Sequence, residues 1–296
     1  MTGGPHRSDI LRMHAISDTR YQAALGWAPV RARPLSGGCI ADVRLLEGTK
    51  GEKAVAKRGG AGTPDLTIEA FMLGYLAAHS PLPVPTIYLA EPDLLLIGYL
   101  PEGGGMTDAA ERDAADHLAA LHDVAADSYG LDRDTLIGPL AQPNPANRDW
   151  PTFFRDHRLL YMGRTAHRHG GIDTDTLAAL ERFCSRIAEF VPQPAAPSLL
   201  HGDLWGGNIL ASGGRISGFI DPAIYYGDAE MDLAFATLFG SLGAAFFARY
   251  AEHRPLDAGF WDSRRDIYNL WPLLVHARLF GGHYGAAVKR TLDRFV

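Results

Sequence analysis

The stretch Leu200-His-Gly-Asp-Leu-Trp-Gly-Gly-Asn-Ile-Leu210, followed by Phe219-Ile-Asp-Pro222, decides how this 296-residue chain is interpreted. Short apolar runs on either side of Gly213-Gly214 predict two strands joined by a tight turn. This hairpin is expected to bring Asn208 and Asp221 together. An amide oxygen and a carboxylate that converge there would suit Mg²⁺, a hard cation that keeps several waters and binds substrate phosphates. The sequence therefore predicts a metal site formed by these two side chains.

The residues beside that site have the spacing of a phosphoryl-transfer catalytic loop. His201, Asp203 and Asn208 fit the pattern H-x-D-L-x-x-x-N. In that pattern the aspartate accepts the proton of the attacking hydroxyl, so Asp203 is the predicted catalytic base. Taken one at a time, an Asp before a hairpin is usually a turn former, and an Asn in a Gly-rich loop usually bonds its own backbone. The joint spacing favours catalysis.

The chain before this site predicts a β-rich N-terminal lobe, residues 1–100. A first helix is expected over 8–25, and Thr63-Pro64 is expected to cap a second helix that runs to about His79. The predicted strands are a meander within 33–57 and two further strands at 86–90 and 94–100.

The glycine-rich segment 101–105 is the predicted hinge, and residues 101–296 are predicted to form a mostly helical C-terminal lobe. Helices are expected over 107–126, near 151–169 and over 174–190, and an uncharged run predicts one buried helix over 231–247. The last third is expected to be helical apart from the hairpin. This layout is an α+β fold of two lobes, with a cleft between them where ligand sites are common.

Features of the N-terminal lobe favour a nucleotide on its side of the cleft. Backbone N–H groups of Ser36-Gly37-Gly38 can approach phosphates, although two glycines are more often a plain hairpin turn. Lys57 is one of only four lysines and ends the third strand, where it can reach the α- and β-phosphates. Glu69 on the following helix is the natural ion-pair partner that would fix this lysine. The backbone around Gly98 and Leu100 is expected to contact the adenine edge.

Other residues are candidates for binding the acceptor. Trp205 lies two residues past the predicted base, where an indole face could stack on a sugar; the alternative is a core tryptophan. Asp228 and Tyr226 are candidates to face the acceptor cleft, whereas Asp232 is predicted to be structural and to tie its helix to the catalytic loop. Three residues near the C-terminus could line the same cleft, although buried or surface histidines are the commoner outcome: His276, Arg278 and His283.

These residues and the segments around them resemble the fructosamine kinase (ketosamine 3-kinase) family. That family is part of the protein-kinase-like group that includes aminoglycoside phosphotransferases and choline kinases. The resemblance extends over nearly the whole chain from about Leu35, and its segments beyond the catalytic loop are Ile137-Gly138, Gln142-Pro-Asn144, Asp149-Trp150, Phe153-Phe154, Ile220-Asp-Pro-Ala-Ile-Tyr-Tyr-Gly-Asp228, Glu230-Met-Asp-Leu-Ala234, Leu270-Trp-Pro-Leu-Leu274 and Leu279-Phe-Gly-Gly282. Gly98 departs from the wider group, in which an acidic hinge residue is common.

The resemblance implies a protein-kinase-like two-lobe fold and ATP-dependent phosphorylation of the 3-hydroxyl of a ketosamine, the Amadori-type adduct of a sugar on an amine. The phosphorylated adduct then breaks down and frees the amine, which makes the family a deglycation or repair system. Carried onto this chain, the base would be Asp203, the Mg²⁺ ligands Asn208 and Asp221, and the phosphate clamp Lys57 with Glu69. The alternatives are a kinase of another acceptor, such as an aminoglycoside or a choline-like amine, and a nucleotide-binding pseudokinase without turnover.

Composition narrows the cellular context. The 28 Lys+Arg against 34 Asp+Glu give a formal net charge of −6, which argues against a general partner of nucleic acid or of anionic membrane. Two cysteines, Cys39 and Cys184, cannot form a disulfide framework, and no apolar signal segment precedes Ile16, so a cytoplasmic monomer or homodimer is expected. Cys39 lies in the predicted phosphate loop, where amides would favour its thiolate. It is either a redox switch, through oxidation or a disulfide to a second chain, or a small loop residue with no redox role.

Overall fold

The N-terminal lobe is built on one antiparallel sheet. The computed structural model describes residues 18–35 and 41–296. The sheet has five strands in the order β1-β2-β3-β5-β4. Their bounds are β1 Arg31–Pro34, β2 Asp42–Glu47, β3 Lys53–Arg58, β4 Ile87–Glu91 and β5 Leu94–Gly98. The predicted meander and the two later strands are therefore confirmed to within a few residues. The predicted phosphate-loop residues Ser36, Gly37 and Gly38, together with Cys39, lie outside the described residues.

Two helices cover the two faces of this sheet. Helix α1 (Thr19–Leu25) begins after Asp18, and its Tyr21 packs on one face with Leu46 and Leu96. The expected start of this helix at Ser8 lies outside the described residues. Helix α2 (Leu66–His79) packs on the other face. The predicted cap of α2 was wrong, because Asp65, not Thr63-Pro64, accepts the hydrogen bond from the Thr67 N–H at 2.8 Å.

The C-terminal lobe is mostly helical, as predicted, but it also holds three small two-stranded sheets. Its helices are α3 Asp108–His122, α4 Trp150–Phe154, α5 Tyr161–Arg168, α6 Thr174–Ser185, α7 Glu230–Leu238, α8 Ala244–His253, α9 Arg265–Tyr268, α10 Leu270–Phe280 and α11 His283–Leu292. Its strands are β6 Thr135–Ile137, β7 Leu140–Gln142, β8 Ser198–Leu200, β9 Ile209–Ser212, β10 Arg215–Phe219 and β11 Tyr225–Gly227. A π-helical stretch, Arg155–Leu160, joins α4 to α5.

Two expectations for this lobe were wrong. The uncharged run 231–247 is not one helix, because α7 ends at Leu238 and Gly240 takes a left-handed backbone with φ 62° before α8 begins. The last third also contains more than one strand pair, since β11 pairs with β8 in addition to the β9–β10 hairpin. The absence of charged residues from a segment says nothing about where a helix breaks or which distant strand a segment pairs with, so neither feature could be predicted from it.

Helix α2 lies between the two lobes. Leu66, Ala70 and Leu73 pack on the sheet, whereas Met72 and Leu76 belong to the large hydrophobic core of the C-terminal lobe. The two lobes therefore form the expected α+β arrangement with a shared helix at their boundary. No helix among the described residues combines the length and apolar character needed to cross a bilayer.

Candidate active site

The β9–β10 hairpin places Asn208 and Asp221 next to each other at its open end. The carbonyl of Asn208 accepts a hydrogen bond from the Ile220 N–H at 3.0 Å, so Asp221 is one residue beyond the directly paired position. A register shift between Ile216 and Gly218 reduces this offset from two residues to one, because the bulge inserts an extra residue into β10 and moves the partner of Asn208 from Phe219 to Ile220. The predicted approach of the two side chains is thus brought about by a bulged hairpin.

Lys57 is a buried lysine at the centre of an ion cluster. It stands on the central strand β3, is 7% exposed, and its Nζ donates to Glu69 Oε1 at 2.5 Å and to Asp221 Oδ1. Burial alone would lower the pKa of Lys57, but the carboxylates of Asp221 and Glu69 raise it above its ordinary value. The ammonium is therefore charged and links a sheet strand, helix α2 and the end of the hairpin.

Asp221 has a strained backbone. Its φ of 53° is the only positive φ at a non-glycine residue within 18–35 and 41–296. Such a conformation costs about 1–3 kcal/mol and persists only where surrounding contacts impose it. The segment that follows Asp221 must therefore be held firmly.

A buried polar network holds that segment. The Gln142 Nε2 donates to the Ala223 carbonyl at 2.9 Å, and the Thr135 Oγ1 donates to the Ile224 carbonyl at 3.1 Å. Thr135 Oγ1 in turn accepts from Gln142 Nε2 at 2.9 Å and from Asn144 Nδ2 at 2.8 Å. Three polar side chains thus fix the two residues that lie just beyond Pro222.

Arg158 anchors this network from the π-helical stretch. The guanidinium is fully buried, donates to Asn144 Oδ1 and to the Pro143 carbonyl at 2.7 Å each, and lies 3.9 Å from the Tyr225 ring centroid. Burial lowers the pKa of Arg158, and its partners are carbonyl groups and aromatic rings. The Gln142-Pro-Asn144 segment, which sequence reasoning noted only as a similarity, is therefore the link between this arginine and the Asp221 segment.

The catalytic loop itself is fixed by Asp232. Its carboxylate accepts the His201 N–H at 2.7 Å and the Gly202 N–H at 2.8 Å, so the predicted tie between this helix and the loop is confirmed. Gly202 has a φ of 84°, and a Cβ there would lie 2.0 Å from the Ala223 carbonyl oxygen. Only glycine lets the loop pack this closely against the segment after Asp221.

Asp203 lies beside Asn208 in this loop. The Asn208 Nδ2 donates to the Asp203 carbonyl at 2.8 Å and to its Oδ2 at 3.0 Å, which orients both side chains. Burial raises the pKa of Asp203 to about 7, and the Asn208 amide opposes the shift. The carboxyl group thus titrates near neutral pH, in the range where a side chain can both accept and release a proton.

The oxygen atoms available at the hairpin end suit Mg²⁺. The Asn208 Oδ1 accepts no hydrogen bond from the described residues, and one Asp221 carboxylate oxygen is not used by Lys57. The described residues hold no group of three or more His, Cys, Asp or Glu side chains arranged for a metal. Two oxygen ligands are nevertheless the set that fits Mg²⁺, because this ion completes its shell with waters and substrate phosphates.

One cavity of about 220 Å³ between the lobes brings part of the predicted site together. Six of the predicted residues line it: Lys57, Glu69, Asp203, Trp205, Asn208 and Asp221. Gly98 and Leu100 are not among the described lining residues. The Gly98 N–H donates to the Thr86 carbonyl at 2.8 Å, so this group is already engaged within the sheet. The adenine contact therefore stays a prediction.

Two acceptor candidates lie away from the cavity. Asp228 does not face the cleft as expected: it is buried, its Oδ2 accepts from the Tyr268 hydroxyl at 2.5 Å, and its Oδ1 accepts from the Glu230 N–H at 3.0 Å. Burial raises the pKa of Asp228 to about 6. Tyr226 is also buried, and its hydroxyl lies 3.1 Å from that of Tyr75 on α2. Both side chains are thus buried by contacts with other segments, Tyr226 with α2 and Asp228 with Tyr268.

Sequence reasoning missed an apolar part of the cavity wall. The apolar lining residues that it did not assign to the cavity include Met72, Leu136, Ile137, Gly138, Pro139, Val275, Leu279 and Phe280. Of the three C-terminal candidates, His276 lines the cavity, whereas Arg278 and His283 are not among its described lining residues. The sequence signal for this part of the wall is the resemblance of the segments Ile137-Gly138 and Leu279-Phe-Gly-Gly282 to the fructosamine kinase family.

Comparisons with known proteins agree with this geometry. The family model described as fructosamine kinase matches residues 13–296. A Synechocystis protein assigned as a ketoamine kinase is 34% identical over 269 residues, which cover 88% of this chain and 89% of the relative. The solved structure of a protein assigned as a fructosamine-3-kinase, from Thermobifida fusca, has a TM-score of 0.84 at 28% identity and covers 94% of this chain and 97% of that one.

The fold extends to more distant proteins. An aminoglycoside phosphotransferase solved with gentamicin has a TM-score of 0.64 at 14% identity, covering 99% of this chain and 97% of that one. At this identity the likeness concerns the fold alone. It supports the two-lobe, protein-kinase-like arrangement.

Proposed function

Because this chain belongs to the fructosamine kinase family, we propose that it transfers the γ-phosphoryl group of ATP to the 3-hydroxyl of a ketosamine. The observation that carries the proposal is the convergence of Lys57, Asp203, Asn208 and Asp221 on one cavity between the lobes. A nucleotide-binding scaffold has no need of this complete set. The pseudokinase alternative is for that reason not favoured.

Asp203 is the proposed base. Its carboxylate, oriented by the Asn208 amide, would accept the proton of the acceptor hydroxyl as the oxygen attacks the γ-phosphorus. The bond from that oxygen to phosphorus forms while the bond from phosphorus to the bridging oxygen of ADP breaks, and ADP leaves. Positioning supplies most of the catalysis in such a transfer, and the hydrogen-bonded loop provides it.

Lys57, Asn208 and Asp221 are the proposed phosphate side of the site. Asn208 and Asp221 would hold Mg²⁺, which supplies positive charge to the transferring phosphoryl group when it is bound. Lys57 is held in place by Glu69 and would neutralise charge on the α- and β-phosphates. Backbone groups of Ser36, Gly37 and Gly38 and of the segment from Gly98 to Leu100 are proposed contacts of the nucleotide.

The product would be a phosphorylated adduct that breaks down and frees the amine, so deglycation is the proposed outcome. We place the reaction in the cytoplasm, because a chain with two cysteines and a buried, unpaired Cys184 suits a reducing compartment. The chain would act there as a monomer or a homodimer.

A kinase assay on the purified protein tests the proposal. Fructosamine, ribulosamine and erythrulosamine adducts of one amine are offered with Mg·ATP, and choline and an aminoglycoside serve as comparison acceptors. We expect ADP formation with at least one of the three ketosamines and only background turnover with the comparison acceptors. Turnover with the aminoglycoside alone would contradict the proposal.

A further inference from the structure

The rim of the cavity on the C-terminal lobe exposes an unusual amount of aromatic surface. Trp205 and Phe280 line the cavity and are 38% and 55% exposed. Phe239 is 41% exposed and lies beside the lining residues Trp205 and His276, whose rings it contacts. Exposed large apolar side chains are unremarkable when scattered, but a contiguous set at the edge of a cavity points to a ligand.

These rings form a continuous surface, which we call the aromatic wall and define by Trp205, Phe239, His276, Phe280 and Tyr284. Successive ring centroids lie 6.0 Å apart for Trp205 and Phe239, 5.2 Å for Phe239 and His276, and 5.6 Å for His276 and Phe280. Tyr284 adds a contact to His276 at 4.9 Å. His276 and Phe280 are one turn apart on α10, so one face of that helix carries both rings toward the cavity.

The aromatic wall contains no Asp, Glu, Lys or Arg side chain. The His276 Nδ1–H donates to the Pro272 carbonyl at 2.7 Å, and burial lowers the pKa of this imidazole. The other described lining residues that α10 contributes are Val275 and Leu279. The carboxylates of the cavity stand elsewhere, on the catalytic loop and on the side of Lys57. A polycationic acceptor would find no counter-charge on this wall, whereas an apolar group would find a large contact surface.

The chemistry of a ketosamine brings its amine substituent within reach of this wall. The reacting hydroxyl is on carbon 3, and the amine nitrogen is on carbon 1, with carbon 2 between them. When the hydroxyl lies at Asp203, the nitrogen and its substituent must leave the sugar within the same cavity. Trp205 is two residues past Asp203 and lines that cavity, so the aromatic wall starts beside the reacting group.

Resting on the proposed function, we propose that the aromatic wall binds the amine substituent of the acceptor and selects ketosamines whose amine carries an aromatic ring or an aliphatic chain. Small polar amines and polycations are the disfavoured acceptors. Phe239, His276 and Phe280 are thereby specificity-determining residues, and the sugar end of the substrate is left to the catalytic loop.

The test compares two fructosamines that share the same sugar part and differ in the amine: the 1-deoxyfructosyl derivative of benzylamine and that of glycine. Burying a ring against apolar side chains is expected to give the benzylamine adduct roughly tenfold higher kcat/KM. Phe280→Ala and Phe239→Ala should each remove most of this preference, chiefly through KM of the benzylamine adduct. Phe280→Leu, which keeps apolar surface, should retain part of it.

A matched control is Trp261→Ala, because Trp261 is also 41% exposed, but its ring packs on Phe247 and Phe260, away from the aromatic wall and from the cavity lining. This variant should keep the preference at its original size. Equal kcat/KM for the two adducts, or variants that lower both equally, would overturn the role of the aromatic wall while leaving the proposed function intact. Failure of the protein to phosphorylate any ketosamine would instead overturn the proposed function.

Discussion

The two sides of the cavity are built on opposite principles. On the phosphate side, Lys57, Asp203 and Asp221 are each held by charged or amide partners, and a second layer of buried polar side chains fixes the backbone beneath them. On the acceptor side, the aromatic wall makes ring contacts, and three of its rings are substantially exposed. The comparison teaches that one side is organised for fixed geometry around reacting atoms and the other for contact area.

The largest expected effect is at Asp203. Asp203→Asn keeps the shape of the side chain and removes the proton acceptor, so kcat should fall roughly 10²- to 10⁴-fold. Single-turnover kinetics measure the loss, and calorimetry should show that ATP still binds. A near-normal kcat of Asp203→Asn would contradict the proposal that Asp203 is the base.

A somewhat smaller loss is expected for Lys57→Met. Removing a positioned charge from a transfer site costs roughly 10²- to 10³-fold in rate. The carboxylates of Glu69 and Asp221, which are only partly buried, would also lose their shared partner, so thermal unfolding should occur at a lower temperature. Lys53→Met is the matched control, since Lys53 lies on the same strand but is exposed; an equal rate loss in both variants would contradict the assignment.

Thr135→Val tests the layer beneath the phosphate side. The isosteric change deletes the hydroxyl that links Gln142 and Asn144 to the Ile224 carbonyl, and Asp221 should lose its support. We expect the Mg²⁺ concentration for half-maximal rate to rise roughly tenfold, the lower end of the effects of outer-shell partners on metal affinity. The readout is a Mg²⁺ titration at saturating acceptor.

The control for that experiment is Tyr129→Phe, which removes a buried hydroxyl bonded to Gln193 at 3.0 Å, away from Asp221. A general loss of stability would shift both variants alike. A change in Mg²⁺ requirement confined to Thr135→Val would show that the network acts through Asp221.

The smallest effect is expected on the acceptor side. Trp205→Ala removes a partly exposed indole from the acceptor side, so KM for the ketosamine should rise roughly fivefold while KM for ATP stays nearly unchanged. Trp205→Phe should recover much of the loss. Equal increases in both KM values would show that the indole supports the whole catalytic loop. Trp205 would then belong to the fixed geometry of the phosphate side and not to the contact surface of the acceptor side.

The predictable parts of the site are those encoded by local spacing. His201, Asp203 and Asn208 belong to one loop, and a hairpin carries Asp221 back to it, so their proximity follows from short-range rules. Lys57 and Glu69 follow from the strand and the helix after it. The fold class could be predicted for the same reason, because strands dominate one part of the chain and helices the other.

The parts that could not be predicted depend on long-range packing. Asp228 follows two tyrosines that suggested a cleft, but only the pairing of β11 with β8 and the partner Tyr268 show that it turns inward. The support of Asp221 by Arg158 joins residues more than sixty positions apart through intermediates that no local pattern connects. Gly240 ends α7 by its backbone conformation, which an uncharged sequence does not reveal.

Helix α2 has a mechanical consequence for the site. Glu69 is on this helix, whereas Lys57 is on the sheet, and the same helix is buried against the C-terminal lobe through Met72 and Leu76. The sheet and α2 are therefore tied to the C-terminal lobe in two ways, because α2 packs on both lobes and Lys57 on the sheet also bonds Asp221 at the end of the β9–β10 hairpin. A change in the angle between the lobes would therefore reach the reacting groups directly, through the ion pair between Lys57 and Asp221.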